Sequence, residues 1–280
     1  MRTISASHGG HSGDVIYGLP LARHLATANS CLVDLYIASD RPTQLMPGMQ
    51  HPNGPCLMSP AAFEFIQPLL ELQPYIHRAM FVPDAEIPTD AIRLDPYRFA
   101  PGMNLRAGNI PNYAATLYGI SLNVHEPWLS TRPVKPSGAV TVAMSKRYRN
   151  AAMDYSFLAG IEEVRFVGLP DEYQDFKQRH RLPRLTHHKC ADAVELAEVI
   201  GSSRVFLGNQ SMPFAIAEGL KVNRAVEIFE LYPNVLPTGK GAGAFIHQGA
   251  LVNLLRSWGI TVPQDVVRNT CPNYVWYLSG

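Results

Sequence analysis

Arg2-Thr3-Ile4-Ser5-Ala6-Ser7 runs into His8-Gly9-Gly10-His11-Ser12-Gly13 and then into Asp14-Val15-Ile16-Tyr17-Gly18-Leu19-Pro20-Leu21-Ala22-Arg23-His24-Leu25. The first piece has the composition of a strand and the second is a glycine-rich loop. The third carries apolar residues at near-helical spacing. Residues 31–37 follow, with Val33, Leu35 and Ile37 alternating as in a second strand. Strand, glycine loop, helix and strand in that order open a βαβ unit, so the chain begins as a parallel α/β domain.

The same alternation returns after Ser130-Thr131-Arg132-Pro133-Val134-Lys135-Pro136-Ser137-Gly138, a stretch of linker composition. Strands are expected at 139–144, 163–168, 204–207 and 225–229, and helices at 151–159, 171–179, 191–200 and 212–220. Between Pro42 and Pro111 lie twelve of the 23 prolines. They confine regular structure there to short pieces such as 61–72, and the rest reads as loops draped over a sheet. The expected fold class is α/β, with two Rossmann-like domains, 1–132 and 133–280, facing a cleft between the carboxyl ends of their strands.

Composition narrows the function classes. Of 280 residues, 46% are apolar and 17% charged, with 24 basic against 23 acidic side chains, so the chain buries a full core and has no bulk charge for nucleic acid. No run approaches the roughly 18–20 apolar residues of a membrane span, and the start lacks a signal-peptide core; a soluble cytoplasmic protein is expected. Cys31, Cys56, Cys190 and Cys271 form no CxxC pair, which fits packing residues in a reducing compartment. Arginine outnumbers lysine 18 to 6, a bias toward two-pronged anion contacts.

Chemistry concentrates in a few places. In residues 205–220 a buried strand ends at Gly208-Asn209-Gln210-Ser211, with Ser211 placed to cap a helix and Pro213 in its first turn. Such a helix start is a natural diphosphate site, and equally an ordinary strand-to-helix turn. Lys146-Arg147-Tyr148-Arg149-Asn150 follows the 139–144 strand at its ligand-binding end; it is either a diphosphate clamp or a solvated charged turn. Asp14, after Gly13, is either a helix cap or a general base for a substrate hydroxyl. His8 and His11 lie in the glycine loop as substrate contacts or bases, and as a metal pair they lack a third ligand. Adjacent residues in His187-His188-Lys189-Cys190 project in different directions, so an exposed loop is expected there. Glu227 and Glu230 end or follow a strand, where a carboxylate can hold a ribose. The loop is not GxGxxG, which argues against a nicotinamide-dependent dehydrogenase.

Gly13-Asp14-Val15-Ile16-Tyr17-Gly18-Leu19-Pro20 resembles the amino-terminal motif of the heptosyltransferase-like enzymes, glycosyltransferase family 9, which have the two-Rossmann GT-B fold. Phe206-Leu207-Gly208-Asn209-Gln210-Ser211 through Ala217-Glu218-Gly219-Leu220 resembles that family's carboxyl-domain strand-turn-helix, and Phe166-Val167-Gly168-Leu169 is similar to the strand before it. The resemblance implies an inverting, metal-independent transfer of a sugar from a nucleoside-diphosphate donor to a hydroxyl acceptor, with no cofactor. It implies Asp14 as base; His11 and Gly13, in the glycine loop next to it, are candidate substrate contacts. Lys146, Arg147 and Arg149, with amides around Gln210 and Ser211, would hold the diphosphate, and Glu218 or Glu227 the ribose. The family's Asp-Thr-Gly-Leu-x-His pattern reads Asn209-Gln210-Ser211-Met212-Pro213-Phe214 here, without the aspartate or the histidine, so those sugar contacts do not carry over.

Two other readings stay open on the same architecture. A nucleotide-sugar epimerase would need further acid/base groups, for which His8, His11 and Glu218 are the candidates. A non-catalytic nucleotide- or sugar-binding module needs none. The aromatic tail Tyr274-Val275-Trp276-Tyr277 either braces the first domain or forms a homodimer contact.

Overall fold

A computed structural model describes residues 2–43, 53–106, 108–151 and 153–263, and among them two all-parallel sheets form. Cys271 and the 274–277 tail lie outside the described residues. The first sheet holds β1 (Thr3–His8), β2 (Leu32–Ala38), β3 (Ile76–Val82) and β4 (Ile92–Arg93) in the order β3-β2-β1-β4. Its helices are α1 (Ser12–Asn29), α2 (Pro60–Glu71) and α3 (Ile110–Tyr118). The second sheet holds β5 (Val140–Ala143), β6 (Val164–Phe166), β7 (Thr186–His187), β8 (Val205–Asn209), β9 (Arg224–Glu227) and β10 (Ala242–Phe245), in the order β10-β9-β8-β5-β6-β7. Its helices are α4 (Pro170–Arg179), α5 (Ala193–Ser202), α6 (Met212–Leu220) and α7 (Gln248–Ser257).

Strand alternation builds two cores around the second sheet. Val205 and Leu207 of β8 and Ala225 of β9 face a core closed by α4 and α7, while Phe206 and Val226 face the opposite way. That opposite face is covered by α5 and α6, which pack in turn on α2 and α1 of the first half. Val15, Ile16 and Leu19 of α1 therefore share one continuous apolar core with Phe214, Ile216 and Ala217 of α6. α6 is apolar around its circumference because it lies between a sheet and a helix.

The segment joining the halves is anchored by Trp128. Pro20, inside α1, has no N–H to give the carbonyl of Ile16 four residues back. The Trp128 indole donates to that carbonyl at 3.2 Å instead, and the backbone N–H groups of Trp128 and Leu129 both donate to Gly219 O. Ser130 and the buried Gln73 side chain exchange two further hydrogen bonds.

Two expectations need correcting. The helix expected over 151–159 is replaced by a 3₁₀ turn at Ser156–Gly160. There the Asp154 carboxylate accepts from the Ser156 N–H and hydroxyl, a local turn that competes with helix propagation. The proline-rich middle is also more regular than loops over a sheet, because Pro74 and Pro83 bracket the proline-free residues of β3, and Pro60 opens α2 behind the Ser59 cap.

Candidate active site

The carboxyl ends of the two sheets meet where α1 and α6 begin. A Cβ on Gly13 would lie 3.4 Å from Met212 Cα, so the two helix starts touch. Ser211 occupies the N-cap position of α6, but its hydroxyl turns back to Asn209 O at 3.2 Å and does not cap the helix.

Asp14 stands half-buried in the first turn of α1, and its Oδ2 accepts from Arg98 Nη2. Arg98 sits on the 3₁₀ turn Pro96–Arg98 that follows β4, and it also faces the fully buried Asp95 at 3.4 Å. Asp95 accepts in addition from Gly9 N at 3.0 Å and from Arg41 Nη1 at 3.1 Å, and Arg41 continues to Asp84. Burial works to raise the Asp14 pKa, but the Arg98 guanidinium, with smaller help from His11 and His8, outweighs it and holds the carboxyl below its usual range. Burial pushes both His8 and His11 down as well, against the opposing pull of the nearby carboxylates. His8 Nδ1 accepts from Gly10 N, and His11 Nδ1 lies 2.7 Å from Leu57 O.

The three cations expected from the second half separate into different roles. Lys146 pairs with Asp171 at 2.7 Å on the surface. Arg149 pairs with Asp175 and donates to the carbonyls of Ser145 and Met144 at 2.6 Å, which ties it into the loop. Arg147 has no carboxylate within ion-pair distance among the described residues, and its guanidinium lies over the Tyr148 ring at 5.7 Å. Burial lowers its pKa, only partly offset by Tyr148, Glu172 and Asp14, so it is a partly buried cation close enough to feel the Asp14 charge. Tyr148 adopts a left-handed φ of 51° and sits beside Phe229 and Tyr232, whose rings stack at 6.3 Å.

In four polar candidates the side chains already hydrogen-bond within the protein. Fully buried Asn209 gives its amide to Ser145 O and Arg147 O, and its carbonyl accepts from Ser145 N. Gln210 bridges Tyr232 O, Asn234 Oδ1 and Phe229 N. Glu227 accepts from Asn150 N at 2.6 Å and from the Tyr155 hydroxyl. Glu218 lies at the far end of α6 from the helix start, buried between Arg224 and Lys221 and accepting from Thr238 N. In both glutamates each oxygen already accepts at least one hydrogen bond from the protein. Gly208 is also structural: a Cβ there would lie 2.9 Å from the Phe206 ring.

Of the three epimerase candidates, His8 is fully buried, Glu218 is paired with Arg224 and Lys221, and His11 is partly exposed in the glycine loop. Among the described residues no group of three or more His, Cys, Asp or Glu is arranged to hold a metal ion, and no helix is long and apolar enough to cross a membrane. The residues that sequence reasoning missed are Arg41, Asp95 and Arg98. Their signal was the bare Gly9-Gly10 pair, whose missing side chains leave room for the two guanidinium groups.

No protein-family profile and no curated protein matches the sequence. Solved structures do match in shape. A glycosyl transferase family 9 protein from Veillonella parvula DSM 2008 superposes with a TM-score of 0.59 at 11% identity, over 97% of this chain and 96% of that one. The E. coli heptosyltransferase WaaC with ADP gives 0.58 at 11% identity, over 92% of this chain and 100% of its own. The dodecameric iron-containing heptosyltransferase TibC, in complex with ADP-D-β-D-heptose, gives 0.53 at 15% identity, over 87% of this chain and 62% of that one. At such identities the likeness is one of architecture: the chain is heptosyltransferase-like in fold, two parallel-sheet halves in the GT-B arrangement.

Proposed function

We propose that this chain is a glycosyltransferase that moves a sugar from a nucleoside-diphosphate donor to an acceptor hydroxyl, with inversion and without a metal ion. The observation that carries the reading is Arg147, beyond β5, a partly buried guanidinium that has no carboxylate within ion-pair distance among the described residues and that feels the charge of Asp14 at the start of α1. A partly buried guanidinium without a carboxylate partner is stabilised by an arriving anion, and a diphosphate is the anion expected at the carboxyl end of such a sheet. The fold shared with ADP-bound heptosyltransferase structures supports a nucleotide ligand.

In the reaction the acceptor oxygen attacks the anomeric carbon while Asp14 takes its proton. The bond to the diphosphate oxygen breaks on the opposite face, and the departing electron pair stays on the diphosphate. Arg147 and the uncapped start of α6 offset that charge. Lys146 and Arg149 have no part in this version, since each is spent on an aspartate.

Thermal-shift titration with ADP, UDP, GDP, CDP and TDP tests the reading, because a ligand at about 100 times its Kd adds roughly 2.7 kcal/mol of stability. Stabilisation by one diphosphate, lost in Arg147→Ala, is the expected result. The matching sugar nucleotide is then assayed for transfer with and without EDTA, and the anomeric configuration of the product is read by NMR. Absence of any shift overturns the nucleotide reading, binding without transfer identifies a binding module, and inhibition by EDTA removes metal independence.

A further inference from the structure

Seven buried side-chain polar atoms among the described residues have no hydrogen-bond partner, and three of them, His8 Nε2, Asp95 Oδ1 and Arg98 Nε, belong to the network behind Asp14. Arg98 spends Nη2 on Asp14, while its Nε points past Asp95 Oδ2 at 3.4 Å without hydrogen-bond geometry. A small turn of the guanidinium toward Asp95 would convert this into a two-pronged pair, satisfying both Arg98 Nε and Asp95 Oδ1 and letting go of Asp14. Asp95 is held ready for this by Gly9 N and Arg41. The bare backbone at Gly10 makes room for the guanidinium in its seat on Asp14, since a Cβ there would lie 2.6 Å from Arg98 Nη2.

We propose that Arg98 is a positioning residue with two seats, Asp14 and Asp95, and that its move to Asp95 frees Asp14 to accept the substrate proton. The proposal rests on the reading of Asp14 as the base. The charged or titratable groups around Asp14 are His8 at the end of β1, His11 before α1, Tyr17 on α1, Asp95, Tyr97 and Arg98 after β4, and Arg147 and Tyr148 from the second half. Of these, Arg98 is the cation in direct contact with the Asp14 carboxylate.

Two readouts test the seats without any turnover. In a crystal structure of Asp14→Ala, Arg98 Nε and a terminal nitrogen should both lie within hydrogen-bond distance of Asp95; a guanidinium left over position 14, with Asp95 Oδ1 still unpartnered, overturns the second seat. In ¹³C-carboxyl NMR of aspartate-labelled protein, Arg98→Gln should raise the Asp14 midpoint by about one to three pH units, and Arg98→Lys by less. An unchanged midpoint overturns the first seat.

Turnover of the ADP-, UDP-, GDP-, CDP- or TDP-sugar selected by the thermal-shift series then tests the function of the move. Asp95→Asn, which strands Arg98 on Asp14, should lower kcat about tenfold or more at unchanged donor KM, and part of that loss should be relieved in the Asp95→Asn/Arg98→Gln double variant. Additive losses overturn the two-seat mechanism. Wild-type protein that transfers no sugar defeats the base reading alone, and the structure and titration still decide the seats.

Discussion

The Arg98 guanidinium lies where a side chain on Gly10 would have to be, its Nη2 only 2.6 Å from the position of a Cβ there. Gly9 stands in the same relation to Arg41, so the glycine pair seats two arginines. Gly9→Ala should lower stability by about 1–3 kcal/mol, because Arg41 must shift off Asp84 and the buried Asp95. Urea unfolding checks this, and an unchanged midpoint would mean that Arg41 gives way without cost.

Glu218 is predicted to matter for folding and not for binding. It closes a buried network with Arg224, Lys221 and Thr238, in which burial pushes Lys221 down to about 8. Glu218→Gln leaves the fully buried Arg224 without its countercharge and should cost about 3–5 kcal/mol. Nucleotide affinity of the folded fraction should be unchanged; a selective loss of affinity would return Glu218 to the site.

Stability should fall with acid through His180. Burial pushes this imidazole down to about 4, with Asp154 only partly offsetting it, and its Nδ1 accepts from Tyr155 N as a neutral ring does. The unfolded ring titrates near 6.5, as a model histidine does. Above that pH neither state holds the proton; between about 6.5 and 4 only the unfolded chain does, so stability drops as pH falls through that window. His180→Gln, which can still accept from Tyr155 N, should flatten the dependence of the urea midpoint over this range. A slope equal to wild type would assign it to His8 and His11.

The three basic residues after β5 should separate experimentally. Arg147→Ala is expected to weaken nucleoside-diphosphate binding about tenfold or more with little change in Tm, since no carboxylate is left behind. Arg149→Ala should lower Tm, since its guanidinium ties Asp175 to two loop carbonyls. Isothermal titration of both variants decides, and equal affinities in both would place the anion elsewhere.

Asp14→Asn should keep nucleotide binding within a few-fold and slow transfer by on the order of 100-fold. Steady-state kinetics with the matched donor checks it, and near-normal turnover removes Asp14 from the proton transfer.

Much of the architecture is legible in the chain because periodicity reports burial. Val33, Leu35 and Ile37 alternate and form β2, and residues 212–220 coincide with α6. β3 was hidden by counting prolines over the whole middle segment, although Pro74 and Pro83 mark its ends. The candidate site was less legible. Asp14 and Arg147 could be singled out from their positions after a strand, but Asn209, Gln210, Glu218 and Glu227 look identical in sequence whether they face a ligand or lock a loop. Arg41, Asp95 and Arg98 are drawn together only by tertiary structure, Arg41 from just before the proline-rich segment and the other two from its far end.

The core that α1 and α6 hold in common has a consequence for synthesis. Val15, Ile16 and Leu19 are made near the start of the chain, while Phe214 and Ile216, which cover them, come only after most of the second sheet. At roughly 5–20 residues per second, the nascent chain carries an uncovered oily helix face for about ten seconds or more. Its greatest exposure to aggregation falls in that interval on the ribosome, and the arrival of one nine-residue helix ends it.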